Sequence, residues 1–249
     1  MFGLEDVFAS GYYGFYGLPG MYYRLDPTYL LVIVGAVICL IASANVNRAF
    51  RKYSGQRCRR GITGVQAAQQ ILAGAGIHDV RIEHVSGDLT DHYDPRNKVL
   101  RLSDSVYGSD SVSAVGVAAH ECGHAIQHQV GYVPIKVRNA IVPVVNIGSK
   151  LSWPIMIVGL ILGSFNLLNI GIILFSLTLL FQLLTLPVEF NASGRALRIL
   201  EGSNMLYEEE VRGARKVLRA AALTYVTAAV STLLQLLRLV LLFGRRNND

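Results

Sequence analysis

YLLVIVGAVICLIASANV, Tyr29 to Val46, runs eighteen residues without a charge. A helix of this length covers about 27 Å, close to the hydrocarbon thickness of a bilayer. A buried core helix could be as apolar, so the flank decides. Arg48, Arg51, Lys52, Arg57, Arg59 and Arg60 follow at once. Lys and Arg gather on the cytoplasmic side of spanning helices. Residues from 47 onward are therefore expected in the cytoplasm, with the N-terminus outside.

The composition agrees. Of 249 residues, 52% are apolar and 16% charged, against about 25% charged in a typical soluble domain. The net charge of +6 comes from basic residues beside apolar runs. Membrane topology accounts for them, and without a recognisable motif nucleic acid is not an expected partner. Cys39, Cys58 and Cys122 are odd in number and form no CxxC pair, which fits a reducing compartment rather than a disulfide framework. Residues 1–28 are rich in Tyr and Gly and lack a signal-peptide pattern. They suit an aromatic anchor at the headgroups or an unstructured tail.

Further along, Leu151 to Leu186 is a second apolar block, about 54 Å as one helix and too long for one crossing. SFNLLN, Ser164 to Asn169, predicts a hinge between antiparallel spans, 151–168 and 169–186, bracketed by Pro154 and Pro187. A last span is expected at 221–244. Its Thr224, Thr227, Ser231, Thr232, Gln235 and Arg238 should face protein rather than lipid. Between the first span and the second lies a soluble-looking segment, 47–150. Thr63 and Gln66 form a capping box ahead of a helix ending near Gly74 or Gly76. Asp79–Val85 and Lys98–Ser103 read as strands, joined by the turn-rich SGDLTDHYDPRN. Ser109 to Ser111 offer N-caps for a helix reaching about Gln129.

That helix carries AAHECGHAIQH, Ala118 to His128. HECGH matches HExxH. Residues i and i+4 share a helix face, so His120 and His124 can hold one Zn²⁺ together. Glu121, one step round, can reach a water and act as general base. Two ordinary half-buried histidines are the bland reading. Against it stand the nearby strand KVLRL, of a kind zinc proteases use at a sheet edge to bind extended substrate, and the small residues Ala118, Ala119, Gly123 and Ala125. Gly123 costs about 1 kcal/mol of helix stability relative to Ala and fits a place where another element comes close. Cys122 points off the ligand face and reads as packing. His128 is about 12 Å along the helix from His120, too far to share its metal. Downstream, LPVEFNASGRAL puts Glu189 just after an apolar run, where a carboxylate needs a partner. Pro187 reads as the start of its helix. A capping role for Glu189 remains open, with Glu201 and Glu208 to Glu210 as competing ligands. Two crossings separate Glu189 from the histidines, so they share a side. Arg195, Arg198, Arg212, Arg215, Lys216 and Arg219 make that side cytoplasmic. The arginines of the closing GRRNND disagree, since a spanning last helix puts them outside.

TDHYDPRNKVLRLS, AAHECGHAIQH, PVEFNASGRAL and EEEVRGARKVLRAAALTYV, in that order, resemble the bacterial YugP-like neutral zinc metallopeptidases from about Tyr29 to Leu242. HExxH followed by EFxAx is more distantly similar to the HtpX and CAAX-prenyl-protease group. The resemblance implies Zn²⁺ ligands His120, His124 and Glu189, with Glu121 catalytic. The HtpX-type pattern has an aspartate where this chain has Ser193, so Ser193, Asn191 or another group must orient a ligand histidine. Arg195 and Tyr207 are candidates for stabilising an oxyanion.

The expected fold is mainly α, with multi-span membrane helices and a small α+β zincin-like catalytic domain at 47–150. A cytoplasmic segment, 187–220, brings the third ligand. The expected function is an integral cell-membrane zinc endopeptidase acting on protein or peptide substrates in or beside the lipid bilayer, with its site on the cytoplasmic side. A zinc-stabilised scaffold or adaptor without proteolysis is the alternative. A transporter fits poorly, because the spans hold little ionisable chemistry besides Arg238.

Overall fold

The structure is a computed structural model and describes residues 26–243. The expectations for residues 1–25, Gly244 and the closing tail lie outside them. Six helices and one three-stranded sheet are present among the described residues: α1 (Tyr29–Ser54), α2 (Gly64–Gly74), β1 (Arg81–Val85), β2 (His92–Asp94), β3 (Val99–Ser103), α3 (Val112–Gln129), α4 (Val133–Ile161), α5 (Phe165–Gly202) and α6 (Glu208–Phe243). The chain is mainly α, as its long apolar runs predict. Four helices, α1, α4, α5 and α6, are long and apolar enough to cross a membrane.

α1 and α6 lie side by side and antiparallel. Tyr53 meets Gly213, the Cys39 thiol approaches the Thr227 carbonyl, and Gly35 faces Ser231. At the far end Arg238 lies 3.8 Å from Asp26 and over the Tyr29 ring. α6 therefore accompanies α1 along its whole apolar length. α4 and α5 form a second antiparallel pair. A Cβ on Gly171 would fall 3.0 Å from the Ser152 carbonyl, so the small residue lets the two backbones touch.

The α4–α5 turn comes at Leu162–Ser164, ahead of most of the predicted hinge. Gly163 takes φ +62 there and ends α4. α4 also begins well before Leu151 and carries Pro143 and Pro154 inside it. Pro187, read as a helix start, lies inside the 38-residue α5. Proline removes one hydrogen bond, but packing against α4, α3 and α6 holds the helix on either side. The result is one rod that carries an apolar run into a functional segment without a break. Glu189 is 24 residues from its start, about 36 Å along the axis, just past one hydrocarbon thickness.

The capping box is present as predicted: Thr63 Oγ1 accepts from the Gln66 backbone while Gln66 Oε1 accepts from the Thr63 N–H. The sheet order is β1-β3-β2, with β1 parallel and β2 antiparallel to β3. Two expectations change here. His92–Asp94, placed in a loop by the sequence, is a strand. KVLRL forms the central β3, paired with β1 along its length and with β2 over Val99–Arg101, so it is not the free edge strand the sequence suggested. The sheet and α2 pack on α3 around Leu100, Leu102, Val106, Ala118, Ala119 and Cys122, all buried. The Cys122 thiol is fully enclosed and burial pushes its pKa up, as befits packing rather than reactivity.

Candidate metal centre

α3 crosses α5 where Gly123 meets Ala192. A Cβ on Gly123 would sit 2.6 Å from the Ala192 carbonyl oxygen. Only glycine allows this approach, and the approach makes the site. It sets His120 and His124 of α3 against Glu189 and Ser193 of α5.

The three donors are mutually close. His120 Nε2 and His124 Nε2 are 3.2 Å apart, and Glu189 Oε2 lies 3.3 Å and 3.6 Å from them. Two nitrogens on a tetrahedral zinc, each at about 2.0–2.1 Å, stand roughly 3.3 Å apart. The observed spacing fits that arrangement. Glu189 is buried, 4% exposed, and its Oε2 has no hydrogen-bond partner. An orphaned carboxylate oxygen facing two imidazoles is costly unless something positive binds it. His120, His124 and Glu189 could together hold a metal ion.

The rings are oriented from behind. Gln127, fully buried, donates through Nε2 to the Val188 carbonyl and to Asn191 Oδ1. Its Oε1 is thereby left to accept, and it lies 3.0 Å from His124 Nδ1. His124 Nδ1 must then carry a hydrogen, which frees the Nε2 lone pair for a metal. Arg195 Nε donates to the same Asn191 oxygen and fixes it. His120 Nδ1 is 3.1 Å from Ser193 Oγ. Ser193 thus stands where the HtpX-type pattern has an aspartate, and Asn191 reaches His124 only through Gln127. The sequence signal for Gln127 was its place three residues after His124 on one helix face, the spacing at which side chains meet.

Charge is balanced tightly here. Burial would raise the Glu189 carboxyl, but the two imidazoles more than offset it and hold it far below the usual carboxylate range. Burial would lower the His124 imidazole, but Glu189, Glu121 and Gln127 raise it above its ordinary value.

A cavity of about 280 Å³ opens beside these groups, bordered by His120, Glu121, Glu189, Ser193, Leu89 and Tyr225. Glu121 is buried yet reaches it. The competing carboxylates are engaged elsewhere: Glu201 with Arg215, Glu208 with Arg212, Glu209 with Arg59, and Glu210 with the Arg59 and Tyr207 backbone. His128 meets the Tyr93 hydroxyl, away from the cluster. Tyr207 is also elsewhere, under the Arg59 and Arg60 guanidinium groups, and Arg195 is spent on Asn191. Neither oxyanion candidate borders the cavity, whereas Tyr225, which the sequence did not mark out, does.

Comparison with known proteins places this arrangement in a class. Residues 28–244 match the family described as "Putative neutral zinc metallopeptidase", and the chain belongs to that family. Among its relatives, the "Putative membrane protease YugP" of Bacillus subtilis (strain 168) is 47% identical over 220 residues, 88% of this chain and 98% of that protein. No solved structure matches. The chain is a membrane protein of a zinc metallopeptidase family, and zinc is its cofactor.

Proposed function

We propose that the protein is a zinc-dependent endopeptidase of the cell membrane, with its site on the cytoplasmic face and with substrates in or beside the bilayer. His120, His124 and Glu189 are the metal ligands and Glu121 is the catalytic base. The observation that carries this reading is the orphaned, buried Glu189 oxygen aimed at two imidazole nitrogens, with Glu121 on the cavity wall beside them.

When bound, zinc supplies Lewis-acid chemistry, polarising a carbonyl and acidifying water. The chain does the rest. Glu121 takes a proton from the attacking water and returns it to the departing amine. Gln127 and Ser193 hold the imidazoles in register. Leu89 and the apolar wall formed by Val46, Phe50, Val117 and Leu218 exclude bulk water. A substrate strand that adds to the sheet does so at an edge, and β2, which follows Leu89 and Asp91, is the edge nearest the cavity.

The level of the site supports membrane-adjacent substrates. α1 leaves its apolar run at Val46, α5 at Leu186 and α6 enters its run at Ala221. Val46, Glu189 and Ala221 all border the cavity. The basic residues 48–60 and 195–219 flank it on the side away from the apolar runs, which supports cytoplasmic placement and four crossings.

The test is hydrolysis of an unfolded protein by purified protein in detergent, with Glu121→Gln beside it. This reading expects one zinc per chain in both and activity in the wild type alone. Equal activity in both would contradict it and favour a scaffold.

A further inference from the structure

From the cavity wall we infer that Tyr225 is a further catalytic residue, whose phenol donates a hydrogen bond to the oxyanion that forms on the scissile carbonyl. The inference rests on the endopeptidase reading above.

Four side chains on the wall other than Glu121 and Glu189 can donate a hydrogen bond: His120, Ser193, Thr224 and Tyr225. His120 belongs to the metal cluster. Ser193 is engaged with His120 Nδ1 and Thr224 donates to the Ala221 carbonyl. Tyr225 meets Glu189 within the site, and of these donors it is the one tied neither to orienting a ligand ring nor to its own helix backbone. It borders the cavity beside Glu189 and near Glu121. A peptide carbonyl entering this cavity would meet His120 and Glu189 of the metal cluster and the Tyr225 phenol on the same lining. Tyr225 projects from α6, while the metal cluster comes from α3 and α5. The site is complete only with α6 docked.

In the reaction the water oxygen bonds to the carbonyl carbon as its proton moves to Glu121, and the carbonyl π pair settles on oxygen. Tyr225 keeps its proton and hydrogen-bonds that oxygen more strongly than it bonds the ground-state carbonyl. The C–N bond then breaks, and the amine leaves with the proton Glu121 held.

The experiment compares wild type, Tyr225→Phe and Glu121→Gln, full length in detergent. Three quantities are measured: casein hydrolysis, zinc content, and binding of a phosphinic peptide whose anionic tetrahedral centre mimics the oxyanion. For Tyr225→Phe, kcat should fall about 10²–10³-fold while KM shifts less than about threefold. Phosphinic-peptide affinity should fall with kcat, and zinc content should stay at the wild-type value. Wild-type kcat and phosphinic affinity in Tyr225→Phe, with Glu121→Gln inactive, would overturn this inference and leave the endopeptidase reading standing. A wild type that neither cleaves casein nor binds the phosphinic peptide overturns both. If Tyr225→Phe does not fold, p-aminophenylalanine and p-methoxyphenylalanine at 225 replace it: the first keeps a donor and should keep kcat within about tenfold, the second lacks one and should lose about 10²-fold or more, and equal kcat in the two counts against the proposal.

Discussion

Arg238 and Glu189 are charged side chains packed among the helices at opposite ends of the apolar runs. Arg238 finds its compensation inside the chain, with the Asp26 carboxylate at 3.8 Å and the Tyr29 ring 4.0 Å below it. Glu189 finds none. Its neighbours are two imidazoles, neutral in their ordinary form, and one of its oxygens has no hydrogen-bond partner. Each leaves one buried polar atom unpartnered, Arg238 Nε and Glu189 Oε2, but Arg238 has a carboxylate of opposite charge beside it and Glu189 has only imidazoles. A buried charge that lacks a protein counter-charge marks where a ligand belongs.

The largest expected effect follows from removing that charge. Glu189→Ala should cost roughly 10³-fold or more in zinc affinity, since an apparent binding energy of about 10–16 kcal/mol is shared among a few ligands. Titration against a zinc chelator reads this directly. Arg238→Ala should leave zinc affinity unchanged and cost about 1 kcal/mol of stability through the lost aromatic and ionic contact. If Arg238→Ala also stripped the metal, the two ends would not be independent.

Next in size is Gln127→Leu. It keeps the volume but frees the His124 ring, and a loss of about 10–100-fold in zinc affinity is expected. Nearly unchanged affinity would show that the imidazole is fixed by packing alone.

Glycines on the two facing helices sharpen the comparison further. Gly123→Ala drives a methyl into the Ala192 carbonyl and should cost about 1–3 kcal/mol, with weakened zinc binding as α3 is pushed off α5. Gly194→Ala, on α5 with open space around it, should instead stabilise by up to about 1 kcal/mol. Thermal unfolding of the two variants, with and without zinc, checks both signs.

What the sequence made legible were features whose cause is local. The Thr63–Gln66 capping box, the Ser111 N-cap and the i, i+4 histidines depend on residues within a turn or two, and the structure has them. The role of Gly123 was also readable, because glycine inside a strong helix asks for a close neighbour. Features decided by distant partners were not. The central place of KVLRL depends on which strands flank it, and the three residues His92–Asp94 are too few to show alternation. Pro187 looked like a start because proline breaks an isolated helix, whereas here three neighbouring helices keep α5 intact. Tyr225 sits in a run of Ala, Thr and Val, and only the packing of α6 against the site gives it a role.

The central claim is the composition of the metal centre. X-ray absorption at the zinc edge on purified wild-type protein reports the ligating atoms directly. The account predicts nitrogen and oxygen neighbours only, at about 2.0–2.2 Å, with the scattering of two imidazoles and with one imidazole lost in His124→Ala. A sulfur shell near 2.3 Å, or a spectrum unchanged in Glu189→Ala, would contradict it.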